Sequence, residues 1–454
     1  MKLKLLSNAI VVAAVVGLMT PAHAIEVSGE NQWKLLVGGF AELDVISDST
    51  RSLPEVAGNI PIDRANTIAG SAGRTQFSVR NSRLAFTLIA PKLSEWQNKG
   101  VFEFDMFGAG NSATGPETSF YNNASPRVRH LYYQSNNEGW QFLAGQTWML
   151  FGWQPYYFMN TNQDGPVPGM LFSRNVQFRG LKTTEIGSSG KLQSALAVTR
   201  PPQRDSEYPG LEAGLRLTFD SRKSGLTKGP AGERITQPMS IAVSGLYRDF
   251  AVPTTGGGLS DLTHVPGAAV AFDAMLPVIA SSDGQDIHNT LSLLGEFTAG
   301  KGYGEQFSGW TGGIASPLET AAKPSTAQAY AAAGRPLNLD PGIGDYDYTG
   351  TFQLVQLRTF NVHFQYTPHF EGTWFDAGYG QLFSSNMPSL YGPTGLTSGG
   401  TIPYDKTEAY FANIFHQMND QWRVSLEFDQ FKTRYSDGMQ THDNRYQFST
   451  WFIF

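Results

Sequence analysis

From about residue 34 onward, apolar and polar residues alternate with a period of two, and hardly any stretch repeats at the spacing of a helix. At the C-terminus Tyr446, Phe448, Thr450, Phe452 and Phe454 share one parity. Trp422, Val424, Leu426 and Phe428 alternate with Arg423, Ser425, Glu427 and Asp429. Leu211, Ala213, Leu215, Leu217 and Phe219 alternate with Glu212, Gly214, Arg216 and Thr218. Sixteen such segments can be placed, centred near residues 40, 82, 104, 131, 144, 178, 195, 215, 243, 270, 294, 360, 377, 410, 426 and 449. Those near 195 and 270 are alanine-rich and alternate poorly. In the second segment Phe77 and Val79 share one parity, and Leu84, Phe86 and Leu88 the other. One extra residue near Asn81-Ser82, a β-bulge, reconciles them.

A soluble sandwich also alternates, so the connections decide. Tight ones, such as 136–139, 187–190 and 416–419, alternate with long ones. Aromatic residues crowd strand ends, as at Tyr132, Tyr133, Trp140, Trp374 and Tyr410. Short turns at one end, long loops at the other and aromatic girdles predict an all-β fold: a transmembrane antiparallel up-and-down β-barrel of about sixteen strands, with short periplasmic turns and long external loops. A barrel of that size leaves an aqueous channel. Two connections stand out. Residues 149–173 carry Trp153, Tyr156, Tyr157, Phe158, Asp164, Pro166, Pro168 and Phe172, and read as a constriction loop folded into the channel. Residues 300–348 are rich in Ala, Gly and Pro and read most simply as an external surface loop, with a short helix near 327–333.

Composition alone suggests something else. The chain has 454 residues, 41% hydrophobic, with mean hydropathy −0.26, which would suit a soluble protein of several domains. Past the N-terminus there is no run of about 18 apolar residues for a membrane helix. Half-apolar barrel strands average to the same hydropathy, so a membrane is not excluded. A net charge of −6 argues against a nucleic-acid partner. The first 24 residues have Lys2 and Lys4, an apolar stretch from Leu5 to Met19, and Ala22-His23-Ala24. They read as an export signal removed after Ala24, leaving a single barrel domain over 25–454. With no cysteine, the exported chain has neither disulfides nor thiolate chemistry.

No enzyme motif is found. The eight histidines are scattered without metal-ligand spacing, so no catalytic residue, metal or cofactor is expected. The positive signal is arginine within strands, on the face opposite the apolar one: Arg80, Arg83, Arg127, Arg129 and Arg179, with Arg174 at a strand start. An arginine facing lipid near the midplane costs about 2–4 kcal/mol, so these should face the lumen. A ring of guanidiniums in a water-filled pore favours anions. The same arginines could simply brace the wall by pairing with lumen acids, here Glu103, Asp105, Glu427 and Asp429. Both roles stay open at this level.

Four segments in order carry a resemblance: Arg83-Leu84; Phe102-Glu103-Phe104-Asp105-Met106-Phe107-Gly108; Arg127-Val128-Arg129-His130-Leu131-Tyr132; and Leu143-Ala144-Gly145-Gln146-Thr147-Trp148. Together with the terminal Phe454 they make the chain resemble the DcaP-like family of outer-membrane porins, chiefly over residues 39–179. The resemblance implies a sixteen-stranded homotrimer that passes small anionic solutes, dicarboxylates in particular, by passive diffusion. It implies an eyelet lined by Arg80, Arg83, Arg127 and Arg129. Arg174, Arg179, Glu103, Asp105 and Asp164 complete the expected lining. Phe454 would be read by the barrel-insertion machinery, and lipid and lipopolysaccharide would surround the barrel. The chain departs from the family in lacking an N-terminal coiled-coil segment, since only about ten residues separate Ala24 from the first expected strand. Two other functions stay open: a channel specific for aromatic or apolar compounds, and a plugged structural or adhesive barrel.

Overall fold

A computed structural model describes residues 24–29, 32–108, 125–152, 166–204, 206–229, 231–253, 262–314, 338–392, 395–397 and 400–454. The export signal therefore lies outside the described residues, apart from Ala24. Among the described residues, twenty strands form in chain order. They are β1 (Ile25–Ser28), β2 (Lys34–Asp48), β3 (Arg74–Ser78), β4 (Arg83–Ile89), β5 (Gln97–Asp105), β6 (Arg127–Asn137), β7 (Trp140–Trp148), β8 (Arg174–Ile186), β9 (Gly190–Thr199) and β10 (Gly210–Thr227). There follow β11 (Arg234–Pro253), β12 (Leu262–Ile279), β13 (Thr290–Lys301), β14 (Gly344–Tyr346), β15 (Phe352–Leu354), β16 (Gln356–Thr367), β17 (Thr373–Ser384), β18 (Tyr404–Gln417), β19 (Trp422–Tyr435) and β20 (Gln440–Ile453).

Each stave pairs antiparallel with the next, β13 pairing directly with β16, and β20 closes on β2 through Phe40–Ile453 to Asp48–Arg445. β3 and β4 are two halves of one stave, β1 folds back on the start of β2, and β14–β15 is a hairpin within a loop. The result is a closed barrel of sixteen staves. All sixteen expected segments are present, including the alanine-rich β9 and β12. Closure pairs every backbone group and removes sheet edges, which lipid demands.

Burial runs opposite to that of a soluble protein. Along β20 the polar Thr441, Asp443, Arg445, Gln447 and Ser449 are buried, while Tyr446 and Phe448 are exposed. Leu43, Phe102, Leu131, Val176, Leu215, Val243, Phe364 and Leu426 continue the exposed apolar band around the barrel. Tyr133, Trp140 and Tyr410 sit on that outer face. Trp374 does not, although its position at a strand end suggested a girdle. Thr373 and Trp374 are both buried at the start of β17, and the indole stacks on Phe415 inside the barrel.

The connection from 302 to 355 also departs from a surface loop. Its described arms bury Tyr303, Phe307, Trp310, Ile314, Ile343 and Tyr346. Tyr303, Phe307, Trp310 and Ile314 pack with Met149, Phe151, Leu171, Leu382 and Tyr404 in one apolar cluster, and Ile343 and Tyr346 with Phe250, Val252 and Leu354 in a second. Aromatic residues spaced through a Gly-rich segment were the cue. The helix expected near 327–333 lies outside the described residues.

Candidate channel lining

Two bulges place the arginines. Phe40 pairs with Arg83 and Asp44 with Ser78, so five steps on β3–β4 match four on β2. The extra residue reverses parity, and Arg80, Asn81 and Arg83 all turn to the interior side. A second bulge was not anticipated. On β6, Glu103 pairs with His130 but Phe104 with Val128, so Arg129 and His130 are buried side by side. The sequence cue was two successive polar residues between Val128 and Leu131.

The third and fourth staves, β5 and β6, supply the centre of the network. Asp105 is fully buried and accepts from Arg127 Nε at 3.0 Å and Nη2 at 2.6 Å, and from Arg129 Nη1 at 2.9 Å. Arg129 Nε donates to Glu103 Oε1 at 2.7 Å. Forked, charge-assisted pairs of this kind fix guanidinium planes firmly. Arg83 lies within electrostatic reach of Arg129, Glu103 and Asp105 and over the Phe40 ring at 5.3 Å. Arg174 stacks on Trp148 at 4.7 Å and feels Arg127 and Arg129. Arg179 is buried on the inner face of β8, near Tyr132 and Glu212. Arg80 lies further off, donating to Glu55 Oε1 at 3.3 Å and the Met106 carbonyl at 3.3 Å.

Arg216 joins this wall from β10, with its Nε 2.7 Å from Gln193 Oε1. Its parity in the sequence already placed it inward. Seven arginines thus face five acids, Glu42, Glu55, Glu103, Asp105 and Glu212, which leaves the β4–β10 wall with a surplus of positive charge. Glu427 and Asp429 do not meet these arginines. They lie on β19, where Glu427 accepts from Asn413 at 2.8 Å and Asp429 feels Arg445. Asp164 lies outside the described residues.

The two described arms of the 149–173 connection leave β7 and β8, the fifth and sixth staves, and reach the far wall. Leu150 N and Phe151 N both donate to Glu212 Oε2 of β10 at 3.0 Å. Gly152 N donates to Ser244 Oγ of β11 at 2.9 Å, and Leu171 N to Glu296 Oε1 of β13 at 2.8 Å. Gly169 N donates to Asn59 Oδ1 at 3.1 Å, and its carbonyl accepts from Asn361 of β16 at 3.3 Å. Gly169 has φ +84°, and a Cβ there would sit 2.1 Å from the Gln381 carbonyl. Hydrogen bonds to a charged group are worth about 1.5–3 kcal/mol each. Glu212→Ala should therefore free the first arm, and Gly169→Ala should unseat the second. Open-channel current noise and protease cleavage between β7 and β8 should both rise, with the barrel still folded. Silence in both measurements would show that these contacts do not hold the connection.

The exposed apolar band, the closed sheet and the polar, charged interior define an outer-membrane β-barrel of the porin fold. The outer-membrane channel DcaP of Acinetobacter baumannii is similar over 94% of this chain and 99% of its own, with TM-score 0.62 at 15% identity. Pseudomonas putida OprB matches 92% of this chain and 94% of its own, at TM-score 0.50 and 9% identity. OmpF of Salmonella typhi, solved with daunomycin, matches 95% and 100%, at TM-score 0.50 and 11% identity. At such identities the likeness is one of fold. No family model matches the chain, and no curated relative does.

Proposed function

We propose that the protein is a porin that lets small hydrophilic, preferentially anionic solutes such as dicarboxylates cross the outer membrane by passive diffusion. The observation that carries this reading is the run of inward guanidiniums on one wall, from Arg83 to Arg216. Arginine stays charged at any relevant pH and pairs with carboxylates through two parallel bonds. The acids Glu103 and Asp105 brace this wall without cancelling its charge. The described arms of the 149–173 connection narrow the channel, docking on β10, β11, β13 and β16. The described loop aromatics Phe151, Tyr303, Phe307 and Trp310 are buried against one another, which disfavours a slide for apolar compounds. Residues 1–24 are removed on export, Phe454 serves insertion, and the barrel works as a trimer in a bilayer containing lipopolysaccharide. A shallow apolar depression on the outer face of β4–β7, where Gly100, Ala144 and Gly145 lie among Leu88, Phe102 and Leu131, suits contact between copies.

Reversal potentials of the purified protein in planar bilayers under a salt gradient test the reading. Anion selectivity, reduced by added dicarboxylate, is expected. A cation-selective or closed barrel would overturn it.

A further inference from the structure

The β10–β11 hairpin overshoots the barrel at its short-turn end. Its strands have 18 and 20 residues. Pairing of β10 with β9 stops at Phe219–Gly190, and pairing of β11 with β12 stops at Ser240–Met275. Beyond those points, residues 223–227 and 234–238 pair only with each other, after a register shift between Phe219 and Lys223. The hairpin end is thus released from the wall on both edges.

It turns into the lumen. Ser224 Oγ lies 2.7 Å from Ser292 Oγ, Gly225 N donates to Thr290 Oγ1 at 2.8 Å, and Ser292 Oγ donates to the Gly225 carbonyl at 2.8 Å. Thr227 N donates to Gln365 Oε1 at 2.6 Å. Arg423 Nη2 reaches the Gly232 carbonyl at 3.1 Å. Ala231 is buried in one cluster with Phe40, Trp374, Phe415, Trp451 and Ile453. The hairpin belongs to the eighth and ninth staves, whereas Trp451 and Phe40 belong to the sixteenth and first. It therefore spans the full width of the barrel.

The span is cationic. Arg234 and Arg423 hold their guanidiniums 5.0 Å and 4.8 Å from the Trp374 ring. Lys228 at the tip feels Arg216 and Glu233. Burial and the nearby Arg216 push the Lys228 ammonium down to about 8. The acids in range are Glu233 and Glu371, so the positive groups Lys228, Arg216, Arg234 and Arg423 outnumber them.

We propose that this hairpin is a second selectivity filter, a strap across the short-turn mouth whose cationic residues discriminate for small anions after they pass the arginine wall. The proposal rests on the channel reading above and adds a second constriction in series, with Lys228 as its specificity-determining tip.

Three variants test it in single-channel recordings. Replacing residues 224–237 by Asn-Gly should raise conductance at least twofold; unchanged conductance would overturn the strap. Lys228→Glu should lower the anion-to-cation permeability ratio severalfold with the barrel intact; an unchanged ratio would reduce the strap to a brace and overturn the filter. The chain has no native cysteine, so Ser224→Cys with Ser292→Cys gives a clean reporter should the trimmed barrel fail to fold. The pair should crosslink fully in folded protein with conductance unaltered; failure to crosslink would show the hairpin undocked and overturn the proposal. A trimmed channel that gains conductance yet prefers cations would overturn the anion preference here and above, and would leave the constriction standing.

Discussion

An Arg445→Ala variant is expected to lose about 3–5 kcal/mol of folding stability, the cost of stripping a buried charge of its partner. Arg445 is fully buried where β20 closes on β2. Its Nε and Nη2 reach Asp48 Oδ1 and Oδ2 at 2.7 Å and 3.1 Å. It also donates to the carbonyls of Glu55 at 2.9 Å and Pro54 at 2.6 Å, tying the first long loop to the wall. Asp429 and Asp443 lie beside Asp48, so removing the guanidinium leaves three buried carboxylates facing one another. The urea midpoint of the barrel in detergent micelles measures the effect. Arg445→Lys should recover only part of it, because an ammonium lacks the planar fork. Adding Asp48→Asn to Arg445→Ala should recover some of the loss, since one of the three clustered carboxylates loses its charge. A midpoint like the wild type's would show that the seam is held by backbone pairing alone.

The second large effect concerns selectivity. Two unit charges 4 Å apart in water interact by about 1 kcal/mol, roughly fivefold in relative occupancy. Removing two charges from the wall, as in Arg83→Ala with Arg129→Ala, should cut the anion-to-cation permeability ratio about five- to tenfold at 0.1 M salt. Loss of Arg129 also exposes the negative charge of Glu103 and Asp105, which works in the same direction. At 1 M salt the Debye length falls from about 10 Å to about 3 Å, so wild type and variant should converge. Reversal potentials at both ionic strengths measure this. A ratio unaffected at low salt would mean that these arginines only brace the wall.

The fold was legible because a barrel in lipid obeys a local rule. Each strand must show apolar residues on one face, so the alternation of Leu215, Leu217 and Phe219 with Arg216 and Thr218 already fixed what faces lipid. The parity change between Val79 and Leu84 even located a bulge, since one inserted residue is the only local way to keep both halves correctly faced. The second bulge was harder to see, because Arg129 and His130 both turn inward within one continuous strand. Trp374 misled for a related reason: an aromatic residue at a strand end suits either the girdle or the interior, and only its neighbours Phe415 and Arg423 decide.

By itself, then, the sequence determined the barrel, its sixteen staves and the sign of charge on the β4–β6 wall. These depend on periodicity two and on the prohibitive cost of arginine in lipid. The tertiary structure alone decided which acids meet which arginines, pairing Arg127 and Arg129 with Asp105 and leaving Glu427 to Asn413 and Asp429 to Arg445. It alone placed the arms around Tyr303 and Trp310 inside the barrel and laid the β10–β11 hairpin across its width. Contacts between residues far apart in the chain, such as Arg445 with Asp48 and Arg423 with Gly232, depend on where closure sets each stave. A polar loop carries no local pattern that says whether it faces water outside the barrel or water within it.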